Sequence, residues 1–318
     1  LERTALQKGI DFLGVRHAHV GSEKLRDLMI QMREDLISNG VKISTKTEIR
    51  SPRDLKYDSL ILATGRSGSE DMERFLEKEG IKYSYRPVDI GVRIEVPRRI
   101  TDDITDFSRD MKFYILTKGG QRVRTFCACP GGFVDTEMHE EFGVVNGQAY
   151  AEKSSQNTNF ALLTTVGLTE PTSNTNKHAK DIARTFNTLS NGRGVISQRL
   201  GDIREGRRSK EKQQQIYHLH TTLSDPVWGD IGKGMPFQEM KSLLEAIEKL
   251  DEVIPGIASN QSIWHGAEIK MHGLQIKTNK TLRAKERIWV AGDGSGFTRG
   301  IVGAAASGLL AAEGIKSQ

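Results

Sequence analysis

One carboxylate in this sequence stands among glycines. The stretch RIWVAGDGSGFTRGIVGAAASG (287–308) carries an apolar run that ends at Gly292 and presents Asp293 ahead of a segment of small residues. A carboxylate at a strand end can accept hydrogen bonds from ligand hydroxyls. Thr298 is placed to cap the helix that follows. The first amides of that helix, at Gly300, Ile301 and Val302, carry partial positive charge toward an anionic or electron-rich group. Arg299 adds charge there or meets a substrate. Gly300, Gly303, Ala304, Ala305, Ala306, Ser307 and Gly308 would let the helix lie tightly on a sheet or on a planar ligand. A plainer reading makes Asp293 a solvated cap on a closely packed helix. It accounts for the small residues, but less well for a carboxylate set between Gly292 and Gly294.

A second strand end has the same character. In ILATGRSG (61–68) a buried strand, 60–63, stops at Ala63, Thr64 and Gly65 and leaves bare backbone at its carboxyl end. In open α/β sheets that edge is where ligands bind. Taken alone, the stretch is an ordinary strand-to-turn junction.

Other groups carry less. Cys127 and Cys129 are one residue apart, so in a strand they share a face. A redox pair is one reading, but the usual motif has two intervening residues. Buried small residues before the turn at Pro130-Gly131-Gly132 is the favoured one. His17 and His19 form one His-x-His pair, and His218 and His220 another. No Cys, Asp or Glu stands at ligand spacing beside them, so no metal is expected. His265, in IWHGAEIK, is a candidate general acid. Arg86 and Asp89 read as ion-pairing residues rather than catalysts. The basic run REGRRSKEK (204–212) mixes both signs of charge and has no interleaved aromatic residue to stack bases, which disfavours a nucleic-acid partner.

Periodicity supplies the elements that must position these residues. GSEKLRDLMIQMREDLISNG (21–40) reads as a helix capped by Ser22, with Leu25, Leu28, Met29, Met32 and Leu36 on one face. VKISTKTEIR (41–50) reads as a strand and contains Thr47. Further strands are expected over 88–96 and 159–168, with a hairpin over 112–129 that turns at Gly119-Gly120. Helices are expected over 178–189 and 237–256, and an exposed polar loop over 203–215. The two ends, 1–86 and 267–318, share α/β character. The middle, 87–266, is mixed and strand-rich, so an insertion between two halves of one sheet domain is expected.

Composition agrees with a globular chain. Of 318 residues, 36% are hydrophobic and 27% charged, and the net charge of +5 is modest for this length. No apolar run approaches the roughly 20 residues that span a bilayer. Two cysteines are too few for a disulfide framework, which points to a reducing, cytoplasmic setting.

Together the motifs are more specific than either alone. The Ala-Thr-Gly and Gly-Asp strand ends resemble those of flavoproteins with the glutathione-reductase-like FAD fold. YDSLILATGRSG, RPVDIGVRIEVP, TFCACPGGFV, QRLGDIREGRRS and WVAGDGSGFTRGIVGAAASG look like the family of uncharacterised FAD-dependent dehydrogenases, from about Asp11 to Ile315. The resemblance implies an α/β fold: a partial, split FAD/NAD(P)-binding Rossmann-like domain with an inserted mixed α/β, strand-rich substrate domain. It implies FAD as cofactor, a small-molecule substrate, and NAD(P)H as a candidate electron donor. Asp293 would bind a ribitol hydroxyl, and the backbone at Thr47 would meet the adenine. Ala63, Thr64 and Gly65 would approach from the neighbouring strand. Gly292, Gly294, Thr298, Arg299, Gly300, Ile301 and Val302 would complete the site, with the helix start beside the pyrimidine end of the flavin. Hydride arriving at flavin N5 leaves negative charge there, which such amides stabilise.

One part of the pattern is missing. Flavoproteins of this fold open with a strand, Gly-x-Gly-x-x-Gly and a helix. GDGSGFTRG comes nearest and fails at Phe297. With Leu1 in place of a methionine, the sequence reads as a fragment whose phosphate-binding unit lies upstream, and which holds FAD weakly or not at all alone. Three other readings stay open: a flavin-dependent reductase of isoprenoid or lipid chains, an RNA-binding or RNA-modifying flavoprotein-like protein, and a flavin-free scaffold.

Overall fold

The computed structural model describes the chain apart from residues 15–21, 50, 53, 54, 67, 140, 151, 170 and 318. His17 and His19 therefore lie outside the described residues. In chain order the helices are α1 (Glu2–Gln7), α2 (Ser22–Ser38), α3 (Ser69–Glu79), α4 (Asp102–Thr105), α5 (Thr175–Leu189), α6 (Leu200–Arg204), α7 (Phe237–Asp251) and α8 (Ile301–Lys316). The first strands are β1 (Ile10–Leu13), β2 (Leu60–Leu62), β3 (Tyr83–Ser84), β4 (Val88–Pro97), β5 (Lys112–Leu116), β6 (Arg122–Pro130) and β7 (Phe133–Met138). They are followed by β8 (Gly143–Gln148), β9 (Asn157–Val166), β10 (Ile196–Arg199), β11 (Ile263–Lys270), β12 (Gln275–Ile276), β13 (Arg283–Lys285) and β14 (Ile288–Val290). Among the described residues no helix is long and apolar enough to cross a membrane. The fold is mixed α/β, and its largest element is a mainly antiparallel sheet.

The chain divides into two compact units. The first gathers Leu1–Val41, Asp89–Val166 and His178–Lys270. Its seven-stranded sheet has the order β1-β5-β6-β9-β4-β11-β10. Residues 1–41 join this unit because β1 pairs antiparallel with β5, Ile10 opposite Ile115 and Phe12 opposite Phe113. β4 is buried along its length, so neither face meets water. Its apolar row, Ile90, Val92 and Ile94, is fully enclosed. α7 lies against β5, β6 and β9 and buries Leu243, Ala246, Ile247 and Leu250, the spacing of one helical face. α5 buries Ala179, Ile182, Ala183 and Phe186 in the same way.

The alternate row of the sheet is polar and equally buried. Arg93 and Glu95 on β4, Asn157 and Asn159 on β9, and His265 and Glu268 on β11 all lie there. Arg93 grips Glu268 with two parallel bonds, Nε to Oε2 at 2.7 Å and Nη2 to Oε1 at 2.9 Å. Its Nη1 donates to Asn159 Oδ1 at 2.7 Å and to the Cys127 carbonyl at 3.2 Å. A side chain at Gly147 of β8 would run into this guanidinium, so glycine there lets the β7–β8 hairpin close over it. Burial presses the Arg93 pKa down, but the charge and hydrogen bonds of Glu268 outweigh it and raise it. Burial likewise pushes Glu268 up, and Arg93 and Lys270 overcome that and hold it below the usual carboxylate range.

The second unit gathers Lys42–Val88, Gly167–Lys177 and Met271–Gln318. β14 is the centre of a three-stranded sheet, β13-β14-β2, and β12 pairs with β3. α3 places Met72, Phe75 and Leu76 one turn apart, and they pack with Leu62, Ile81, Leu274, Ile276, Ile288 and Val290.

Three sequence expectations change. The exposed polar loop expected over 203–215 instead buries Ser209 and Gln214 and carries a short 3-10 turn over Glu211–Ile216. Residues 41–49 form no strand, although their pattern alternates. Alternation marks which face a strand would bury, but the strand exists only where a neighbour accepts its backbone groups. α2 forms and ends at Gly40, whose φ is +85°. Its apolar stripe is not covered by the described residues, however: Leu28, Met29, Met32 and Leu36 are all exposed.

The buried ion pair predicts a charge-specific cost. Glu268→Ala strands the Arg93 charge and should lower unfolding free energy by ~3–5 kcal/mol. Glu268→Gln keeps an acceptor oxygen and should cost clearly less than Glu268→Ala. Urea denaturation of the three proteins checks this; equal losses would show that the packing, not the acceptor, matters.

Candidate functional site

The two glycine-rich strand ends lie side by side in the second unit. β14 pairs parallel with β2, Ile288 opposite Leu60, Trp289 opposite Ile61 and Val290 opposite Leu62. The Ala291 amide continues the ladder to the Leu62 carbonyl at 2.9 Å. Parallel pairing sends both carboxyl ends to one edge, so Ala63-Thr64-Gly65 and Gly292-Asp293-Gly294 emerge together. The contact is close. A β-carbon on Gly294 would sit 2.5 Å from the Gly65 carbonyl oxygen, so only glycine fits. Ala63 and Thr64 are exposed and Gly65 is half-buried.

Asp293 organises the start of α8. Its Oδ1 accepts from the Thr298 hydroxyl at 2.9 Å, and its Oδ2 from the Gly300 amide at 3.0 Å. Gly300 is the residue before the helix, with φ +82°. Thr298 is therefore not the cap that its sequence position suggests; its hydroxyl spends its proton on Asp293, which reaches across the loop to the amide. Each carboxylate oxygen keeps a further lone pair. The backbone at Gly300 has open space where a side chain would stand, and Ile301 and Val302 are exposed, Val302 by 84%.

α8 packs on β14 through small residues on one face only. Ser307 accepts the Gly292 amide at 2.7 Å, Ala311 is buried with Trp289 and Ala291, and Gly314 lies against Thr281 and Trp289. Gly308 has nothing near its missing side chain. Arg299 bonds through Nη2 to His272 Nδ1 at 2.9 Å. Sequence reasoning passed over His272, because no local pattern marks a residue that reaches the site from the segment before β12. Arg86 donates to the Gly296 carbonyl. Thr47 is exposed in the irregular 41–49 segment, its hydroxyl bonded to the Thr45 carbonyl at 3.1 Å.

His265 has a different setting. It belongs to the first unit, on β11, and is fully enclosed. Its Nδ1 meets Ser197 Oγ at 2.8 Å and its Nε2 meets Glu95 Oε2 at 2.9 Å. Glu95 also accepts from the Thr221 and Thr222 hydroxyls, each at 2.6 Å, and from Asn157 Nδ2 at 3.1 Å. Burial pushes Glu95 up, and the bond from His265 leads the contacts that hold it below the usual carboxylate range. This Ser–His–Glu chain has the order of a nucleophilic triad, but the sealed Ser197 offers a substrate no approach. It ties the 221–222 segment to the sheet. Asp89 pairs with Arg124 at 2.7 Å and accepts from Thr165 at 2.8 Å. His218 and His220 are exposed, and no cluster of metal ligands occurs among the described residues.

Comparison with known proteins fits this architecture. Residues 87–271 match the model of the family described as FAD-dependent protein, C-terminal domain-like. The match covers more than half of the chain, which therefore belongs to that family. The matched span is nearly the central part of the first unit, and it ends before Asp293. The chain is also similar to an uncharacterized protein of Clostridium beijerinckii, 26% identical over 332 residues that cover 94% of this chain and 61% of the relative. The chain thus spans less than two thirds of that relative's length.

Two glycines separate the close edge from the free face of α8. Gly294→Ala forces a methyl onto the Gly65 carbonyl and should destabilise the second unit by about 1–3 kcal/mol. Gly308→Ala adds a methyl to open space in a helix and should stabilise by about 0.5–1 kcal/mol. Thermal unfolding of both variants reads the opposite signs.

Proposed function

We propose that this chain is the greater part of an FAD-dependent oxidoreductase that acts on a small-molecule substrate, with NAD(P)H as the candidate electron donor. The observation that carries the reading is the shared edge of β2 and β14, where Asp293 and bare backbone stand together. The family to which the chain belongs supports the cofactor. The residues fit the group: a carboxylate with spare lone pairs suits a ribitol hydroxyl, and the open backbone at Gly65 and Gly300 leaves room for a planar ring.

In this reading the chain's own residues bind and polarise. Asp293 accepts from the cofactor while keeping Gly300 in place, so the α8 start is already oriented before binding. The amides of Ile301 and Val302 follow it and present partial positive charge. Arg299, steadied by His272, adds a full charge beside them. Gly292 and Gly294 hold the turn that aims Asp293, and Ala63, Thr64 and Gly65 form the opposite wall. Thr47 would meet the adenine through its backbone. Bound FAD would supply two-electron transfer through its N5 atom. The chain has no Gly-x-Gly-x-x-Gly strand–helix unit, so the phosphates are assigned to another part of the whole protein. A split Rossmann-like arrangement follows, with the large sheet of the first unit as the substrate domain.

The RNA reading gains no support from the basic run. Arg204 pairs with Glu248, and Arg207 pairs with Asp202 at 2.7 Å and with Glu205 at 2.5 Å, so two of its cations are already neutralised.

The test is flavin binding by the whole protein, followed by absorbance and fluorescence quenching. The wild type should bind FAD, and Asp293→Asn, which keeps an acceptor for Thr298 but loses the charge, should weaken binding about tenfold or more. Circular dichroism checks that the variant is folded. A whole protein that stays colourless at saturating FAD would overturn the reading.

A further inference from the structure

The Cys127-Ala128-Cys129 segment lies at a break in the large sheet. β6 and β9 are in register as far as Phe126 opposite Ala161 and resume at Cys129 opposite Asn159. Three steps on β6 thus oppose two on β9, which is a one-residue bulge. At the bulge Cys127 adopts φ +47°, a conformation that a β-carbon disfavours. Strain of this kind concentrates at functional sites.

The bulge matters for what the sulfurs can do. In a regular strand the Cα atoms of residues i and i+2 are about 6.6 Å apart. That is close to the upper limit of ~6.8 Å for a disulfide. A bulge bends the strand and interrupts its ladder, so the pair is not held to that regular spacing. Both thiols are free, Cys129 buried and Cys127 only partly so. The Cys129 sulfur lies 3.6 Å from the Cys127 carbonyl. Arg93 donates to the same carbonyl at 3.2 Å. The glycine turn packs closely on the pair: a side chain at Gly132 would strike the Cys129 β-carbon at 2.6 Å.

We infer that Cys127 and Cys129 form a thiol–disulfide redox site, in which the accessible Cys127 attacks a small-molecule disulfide and the enclosed Cys129 resolves the adduct. In the first step the Cys127 thiolate displaces one thiolate from the disulfide and forms a mixed disulfide. In the second, Cys129 loses its proton and attacks the Cys127 sulfur, which releases the second thiolate. Two electrons pass from the cysteine pair to the small molecule, and one Cys127–Cys129 bond replaces the bond that was broken. The asymmetry of the pair suits these roles. The bond from Cys129 brings the Cys127 thiol down to about 6, with Arg93 and Lys270 acting in the same sense against burial and Glu268. The same bond, and burial, push Cys129 up, so it keeps its proton until the adduct forms. The groups that face the Cys127 sulfur are Cys129 on its own strand, Arg93 on β4, and Glu268 and Lys270 on β11. None of this depends on the flavin reading.

The experiment uses the native full chain and dithiobis(nitrobenzoate) as the disulfide. The expected result is release of two thionitrobenzoate ions per chain, one for each cysteine, with an internal disulfide and no adduct by mass spectrometry. The initial rate should rise with the Cys127 thiolate through about pH 6. An unperturbed thiol would rise near ~8.5. Cys129→Ser should release one ion and keep the adduct on Cys127, and Cys127→Ser should slow the reaction at least about tenfold. A wild-type chain that keeps an adduct on each cysteine would overturn the inference. So would thiols that react only after denaturant is added.

Discussion

A guanidinium sealed inside a sheet sets the terms for the larger unit. Arg93 is charged and fully buried, so its donors must all be met where it stands. It meets them on neighbouring strands: Glu268 on β11, Asn159 on β9 and the Cys127 carbonyl on β6. Moving any of these strands by one residue would remove the partner that strand supplies. The pair thus specifies register as much as it stabilises. Glu95 repeats the arrangement two residues along β4, with His265 and the Thr221-Thr222 segment as partners. The apolar row of the same strand supplies the burial energy, and the polar row supplies the uniqueness.

The smaller unit is governed by a different constraint, the closeness of two backbones. β2 and β14 run parallel, so their carboxyl ends share an edge, and Gly294 and Gly65 are nearly in contact there. Asp293 emerges from that edge and turns back on the loop that follows. The carboxylate is thus part of the scaffold, and each of its oxygens keeps a further lone pair.

Much of this was legible in the sequence. Strict alternation in 88–96 and the helical spacing in 237–256 each correspond to one element, the helix ending at Asp251, because local pattern and burial agree there. The two strand ends around Gly65 and Asp293 stood out by composition. The placement of His265 did not. Its neighbours in sequence, Trp264 and Gly266, give no sign that Glu95 and Ser197 close around the ring from other strands. His272 was missed for the same reason, and so was the bulge that distinguishes Cys127 from an ordinary strand residue.

By itself the sequence determined which segments are apolar and periodic, where glycine interrupts them, and that Asp293 is a carboxylate set in bare backbone. Those are properties of neighbours within a few residues, carried by side-chain volume and φ preference. The tertiary structure decided which strands pair and therefore which polar groups meet. It made β2 and β14 neighbours, left 41–49 without a ladder, and enclosed His265 while Cys127 kept part of its surface. Such outcomes depend on partners far away in sequence, 68 residues for Ser197 and His265 and 170 for Glu95 and His265. No local pattern encodes which backbone will come to lie alongside.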